Sequence, residues 1–137
     1  MKYGSLILEK KEYVLLKRIM NVSYHLDDPL VRKSINNLNA ELQAAIICDD
    51  PEVPEDVVRF NSKVIVAWED WEQDFYVVSP AKSNLAEKRI SVMAPMGAAL
   101  IGYSTGDEVI WDFPNGSKSL LIKGVFQQQV SIDGNIL

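Results

Sequence analysis

The stretch that most constrains the fold runs from Ser91 to Asp107 and reads SVMAPMGAALIGYSTGD. It begins with residues typical of a strand and continues, after Pro95, as a short apolar segment from Met96 to Ile101 that predicts a helix. Proline suits the first turn of a helix because no partner exists there for an N–H, and Gly102 suits the left-handed position just past a helix end. The stretch therefore predicts a strand, one tight helix and a turn.

Two amphipathic helices are predicted before this stretch. The first has apolar residues at spacings of three and four: Tyr13, Leu16, Met20 and Tyr24. The second has the same spacing and is expected to run to about Cys48: Val31, Ile35, Leu38, Leu42 and Ala45. Between them, Asp28 suits the N-cap and Pro29 the first helical position. Because each apolar stripe needs a partner, we predict a short antiparallel helical hairpin.

The acidic segment 49–56 combines five acids with two prolines and predicts a linker. We place a domain boundary there, with the helical hairpin in residues 1–50 and a β domain in residues 51–137. Strands are predicted in that β domain from alternating or β-branched residues: Val57–Trp68, Phe75–Val78, Arg89–Met93, Val109–Phe113 and Leu120–Gln127. Asn115-Gly116 predicts a tight turn, and Ser131–Leu137 a loose tail. The predicted fold class is α+β.

Bulk composition excludes several classes of protein. The net charge of −5 disfavours nucleic-acid binding through the general surface, because phosphate contacts need clustered Lys and Arg. The single cysteine cannot form an internal disulfide and predicts a reducing compartment. Neither a membrane-spanning run nor a signal peptide is recognisable, so we predict a cytoplasmic protein.

The sequence offers no catalytic centre and predicts no cofactor. His25 is the sole histidine, which excludes sites built from several imidazoles and favours a solvated or capping role. Cys48 has no basic neighbour in sequence and is expected to pack as a small apolar residue. The glycines match neither a P-loop nor a dinucleotide-binding motif.

Two charged groups leave alternatives open. Asp27 and Asp28, at the predicted tip of the hairpin, are either a divalent-cation site or, more simply, one N-cap and one solvated acid. The basic cluster Lys82, Lys88 and Arg89 is either a solvated loop, which is the commoner case, or part of a site.

The run from Ser91 to Gly97, with Gly102, Gly106 and Asp107 after it, closely resembles the C-terminal motif of the bacterial Gre transcript-cleavage factors (GreA/GreB). Three further segments resemble the branch of regulators of nucleoside diphosphate kinase: Leu38–Leu42, Pro54–Val58 and Asn61–Val64. Ala94 also fits that branch, because Gre factors usually carry serine there. The resemblance covers roughly residues 6–127.

This resemblance implies an FKBP-like β domain that docks at the rim of the RNA polymerase secondary channel, and a helical hairpin that enters the channel. Met93, Ala94, Pro95 and Met96 are the docking residues that it implies. The acids at the tip of a Gre hairpin help to hold a magnesium ion for RNA cleavage, and Asp27 and Asp28 are the positions that would correspond.

Hairpin length favours a polymerase-binding regulator without cleavage activity. A first helix of about 17 residues spans roughly 25 Å, whereas a Gre hairpin is substantially longer. Two alternatives stand beside it. One is a cleavage-stimulating factor that uses Asp27 and Asp28, and the other is a prolyl isomerase, suggested by the FKBP-like architecture alone.

Overall fold

The computed structural model describes residues 1–113 and 116–128 and shows a mixed α+β protein. Pro114 and Asn115 of the predicted Asn115-Gly116 turn lie outside these residues, as does the predicted tail at Ser131–Leu137. The helices are α1 (Lys10–Tyr24), α2 (Pro29–Leu42) and α3 (Pro95–Leu100). The strands are β1 (Ile7–Glu9), β2 (Ile46–Cys48), β3 (Lys63–Trp68), β4 (Trp71–Val78), β5 (Arg89–Ser91), β6 (Glu108–Phe113) and β7 (Gly116–Phe126).

The first two helices begin at side-chain caps. The carboxylate of Glu9 accepts a hydrogen bond from the backbone N–H of Lys11 at 3.0 Å, one residue inside α1. Asp28 is the N-cap of α2, and Pro29 occupies its first position, as predicted. The helices run antiparallel, because Lys17 of α1 bonds to Asn39 of α2. Tyr24, seven residues later in α1, bonds to Arg32, seven residues earlier in α2.

The end of α2 differs from the prediction. The helix stops at Leu42 and does not continue to Cys48, because Ile46–Cys48 is a strand that pairs in parallel with β1. The apolar spacing alone could not distinguish these outcomes, since Ile46 and Ile47 suit either a buried helix or a strand. The partner strand, which lies near the N-terminus, decides between them.

The main sheet has five strands in the order β5-β4-β3-β7-β6. β4 and β5 are parallel, and the other neighbours are antiparallel. Two predicted strands are shorter than expected. β3 begins at Lys63, because Val57 forms only an isolated bridge with Ser104. β5 ends at Ser91, where the chain turns into α3.

One hydrophobic core joins the helices to the sheet. It includes Leu16 of α1, Leu38 of α2, Val64 of β3 and Ile122 of β7, each at most 1% exposed. A smaller cluster of Ile7, Val53 and Val57 lies beside it. No helix in the described part of the chain has the length and apolar character needed to cross a membrane. The core therefore holds the helical pair directly against the β sheet.

Candidate partner-binding surfaces

The turn before α3 is built from the Ser91 to Pro95 run. The hydroxyl of Ser91 accepts a hydrogen bond from the Met93 amide at 3.0 Å, and its carbonyl accepts one from the Ala94 amide at 3.0 Å. Pro95 is the first residue of α3, as the sequence predicted. These bonds fix the direction in which α3 leaves the sheet.

Gly97 sets how closely α3 approaches the end of β5. A Cβ atom at this position would lie 2.1 Å from the carbonyl oxygen of Ser91 and 3.0 Å from the Cα of Val92. Both are backbone atoms, so a side chain could not be accommodated by a rotamer change. Glycine is therefore required here for close packing, which is a tertiary requirement that the local pattern did not reveal.

The four predicted docking residues have different environments. Pro95 is exposed, and Ala94 and Met96 are partly exposed. Met93 is 3% exposed and belongs to the hydrophobic core, so its side chain supports the turn from within. The accessible part of this surface is therefore the outer side of Ala94, Pro95 and Met96.

A cleft of about 310 Å³ lies beside Pro95, between α2, α3 and the edge strand β6. Leu30 and Ile110 are exposed at it, at 65% and 68%, and Ala99 of α3 contributes to its wall. The cleft thus connects the helical pair to the turn around Pro95.

At the tip of the helical pair, the two aspartates have separate roles. Oδ1 of Asp28 accepts hydrogen bonds from the amides of Leu30 at 3.0 Å and Val31 at 3.4 Å. Asp27 has a positive φ of 24°, and its side chain is 96% exposed. Its Oδ1 lies 3.5 Å from Nη2 of Arg32. Both carboxylates therefore have intramolecular partners.

A buried ion pair ties α1 to the segment just before β3. Glu12 is 2% exposed, and its Oε2 accepts a hydrogen bond from Nε of Arg59 at 2.6 Å while its Oε1 accepts one from the Phe60 amide at 3.1 Å. Burial raises the pKa of Glu12, and the bonds from Arg59 and Phe60 oppose that rise. Arg59 also reaches Asp50 at 2.7 Å.

A second polar contact ties α2 to the segment between α3 and β6. The hydroxyl of Tyr103, just after α3, donates to Oε2 of Glu41 on α2. Burial and the neighbouring Glu41 carboxylate together raise the pKa of Tyr103. Neither this pair nor the Glu12–Arg59 pair was predicted from the sequence. The available signal was Glu12 itself, a charged residue four positions before Leu16 on the apolar stripe.

The remaining sequence candidates lie in ordinary environments. His25 is an exposed residue at the end of α1 and packs edge-on against Tyr24. Cys48 lies in β2, where burial raises the pKa of its thiol. In the basic cluster, Lys88 lies 2.8 Å from Asp74 and lowers the pKa of that carboxyl. Among the residues that the structure describes, no three His, Cys, Asp or Glu side chains are grouped to hold a metal ion.

Comparison with known proteins identifies the class of protein. Residues 53–127 match the family model of the transcription elongation factor GreA/GreB C-terminal region. This segment includes β3 to β7, α3 and the turn around Pro95. The chain therefore belongs to the GreA/GreB transcription elongation factor family.

Two individual proteins of known sequence are similar to this chain. The chain is 44% identical over 81 residues to the regulator of nucleoside diphosphate kinase of Escherichia coli K12, a match that covers 58% of this chain and 60% of that protein. It is 32% identical over 119 residues to transcription elongation factor GreA of Helicobacter hepaticus, covering 83% of this chain and 73% of the relative.

A solved structure supports the fold. The prokaryotic transcription elongation factor GreA/GreB from Nitrosomonas europaea superposes with a TM-score of 0.73 and 28% identity, over 90% of this chain and 99% of that one. Because 90% of this chain is covered, the similarity extends beyond residues 53–127.

Proposed function

We propose that this protein is a regulator that binds RNA polymerase at its secondary channel and does not stimulate transcript cleavage. In this proposal, residues 51–137 are an FKBP-like domain that docks at the rim of the secondary channel. Residues 1–50 are a helical-hairpin arm that enters the channel. The protein acts in the cytoplasm, together with the polymerase. The protein catalyses no reaction of its own and uses no cofactor.

The outer side of the turn before α3 is the proposed docking surface. Pro95 is exposed there between the partly exposed Ala94 and Met96, and Met93 holds the turn to the core. Gly97 packs α3 closely against the backbone of Ser91, which leaves the turn little room to move. A rigid apolar surface loses little conformational entropy on binding, which favours a protein partner.

The observation that carries the proposal is the length of the arm. α1 has 15 residues and α2 has 14. At about 1.5 Å per residue, α1 spans roughly 22 Å. A cleavage factor of this family has a substantially longer hairpin, so this arm would end before the polymerase catalytic metal.

The charges at the tip favour the same conclusion. Asp28 is used to cap α2, and Asp27 pairs with Arg32. A carboxylate that caps a helix would have to give up those bonds to coordinate a cation. The tip also exposes Leu26 and Leu30, at 64% and 65%, beside these acids. The tip is therefore poorly suited to hold magnesium.

Binding is tested by co-purification with RNA polymerase core enzyme. We expect the wild-type protein to bind and Pro95→Asp to bind much more weakly, because a charge would be placed in an apolar contact. Leu85→Asp is the matched control, since Leu85 is 81% exposed and lies outside the proposed surface. Equal binding by the wild type and Pro95→Asp would refute this docking surface.

Cleavage is tested separately on stalled, backtracked transcription complexes. We expect no release of short RNA fragments when the protein is added, and we expect reduced cleavage when it competes with a GreA factor. Fragment release that disappears in the Asp27→Asn, Asp28→Asn double variant would instead establish a cleavage-stimulating factor.

A further inference from the structure

The outer face of α1 is basic and apolar, with no acid on it. Five exposed residues follow one another along this face and the end of the helix: Lys11, Val14, Arg18, Val22 and His25. Val14 and Val22 are 56% and 61% exposed, although apolar side chains of this kind are usually buried. The acid of this helix, Glu12, lies on the opposite, buried face.

Lys11 and Arg18 are the two strong bases of this face. Their neighbours Lys10 and Lys17 are engaged, by Asp49 at 3.0 Å and by Asn39 at 2.9 Å. In the part of the chain that the structure describes, no carboxylate lies within ion-pair distance of Lys11 or Arg18. The charge of this face is therefore available to another molecule.

This basic face stands out against an acidic protein. Residues 10–42 contain six Lys and Arg and four Asp and Glu, for a net charge of +2. The rest of the chain contains eight basic and fifteen acidic residues, for a net charge of −7. A charge asymmetry of this kind points to a specific acidic partner for the helical pair.

The spacing defines the shape of that partner. Lys11, Arg18 and His25 are seven residues apart, which places them about 10.5 Å apart along the helix. Val14 and Val22 lie between them and provide an apolar seam. A facing helix with acidic residues at the same heptad spacing would match both features.

We propose that the outer face of α1 binds an acidic, amphipathic helix of a partner protein. Val14 and Val22 would pack against its apolar residues, and Lys11 and Arg18 would pair with its carboxylates. The exposed valines favour a protein over a nucleic acid, because single-stranded nucleic acids are bound through stacked aromatic rings and closely spaced phosphate contacts. Pro95 is not part of this face, so the inference does not rest on the docking surface proposed above.

The test uses a labelled synthetic helix of about three heptads, with Leu at the a and d positions and Glu at e and g. We expect fluorescence anisotropy to show binding to the full-length protein that weakens as salt is added. Arg18→Glu should weaken binding by roughly tenfold, the loss of one attraction and the gain of one repulsion. Val14→Ser with Val22→Ser should also weaken it, with thermal melting used to confirm folding.

Three controls define the specificity. Lys82→Glu removes an exposed base outside the face and should leave binding unchanged. A peptide with Lys in place of Glu should not bind. A single-stranded RNA of about 12 nucleotides should either not bind or bind the wild type and Arg18→Glu equally.

The inference fails if the acidic peptide does not bind, or if Lys82→Glu and Arg18→Glu reduce binding equally. It also fails if RNA binding is lost in Arg18→Glu, which would make this a nucleic-acid surface. A protein dimer that dissociates on Arg18→Glu would likewise overturn it, because the face would then bind a second copy.

Discussion

Arg59 pairs with Glu12 across the boundary between the helical arm and the β sheet, with Nε of Arg59 2.6 Å from Oε2 of Glu12. Glu12 lies on α1 and is 2% exposed, whereas Arg59 precedes β3 and also reaches Asp50 in the acidic connecting segment. A single guanidinium therefore contacts both the arm and the connecting segment. The proposed function needs the helical arm to have a fixed orientation relative to the β sheet. Substituting this pair tests whether the pair stabilises that orientation.

Arg59→Gln should destabilise the protein by about 3 kcal/mol, because removing one partner of a buried ion pair leaves the other charge unpaired. Urea unfolding at neutral pH measures this change. The double variant Glu12→Gln, Arg59→Gln is the control and should recover much of the loss, since no buried charge remains. A loss of less than about 0.5 kcal/mol in the single variant would show that the pair is dispensable.

The cost of Arg59→Gln should depend on pH. Burial raises the pKa of Glu12 above its usual 4.5, so the contribution of this group to stability is full below that value and is lost as pH rises through the folded-state pKa. Without Arg59, the folded-state pKa rises further and the loss becomes larger. The difference between wild type and variant should therefore be small near about pH 4 and grow towards about pH 7. If the difference is instead constant across this range, the destabilisation by Arg59→Gln comes from lost packing and not from the charge of Glu12.

Gly97→Ala should destabilise the protein by about 3 kcal/mol or more, because the new methyl group would overlap the backbone of Ser91 and α3 would have to move. The control is Gly106→Ala, which has open space around its Cβ but a positive φ of 92°. That variant should lose only about 1 to 2 kcal/mol through backbone strain. Thermal unfolding compares the two, and an equal loss would mean that close packing of α3 is unimportant.

Asp28→Ala should lower the free energy of unfolding by about 1 kcal/mol, because the first turn of α2 loses its cap. Asp27→Ala should change it by no more than about 0.5 kcal/mol, since this side chain is 96% exposed and its ion pair with Arg32 is at the surface. Circular dichroism melting distinguishes the two aspartates. Equal effects would contradict the separate roles that the structure gives them.

Local patterns in the sequence were sufficient to predict those features that depend only on residues close together in the chain. The Asp28-Pro29 cap and the start of α3 at Pro95 follow from side-chain preferences over a few neighbouring residues. The apolar face of α1 was predicted correctly at Leu16 and Met20 but not at Tyr24, which is 42% exposed. The GreA/GreB family was likewise recognisable, because the Ser91 to Asp107 motif is contiguous. The predicted docking residues are part of it, and their contact with a polymerase stays a prediction.

The tertiary structure decided what depends on partners distant in the chain. Ile46–Cys48 is a strand because it pairs with Ile7–Glu9, and Gly97 is required because α3 lies against Ser91. Met93 is buried, and Glu12 has Arg59 as its partner, for the same reason. Spacing along a sequence records the periodicity of an element, but the surface against which that element packs is fixed only when the whole core forms.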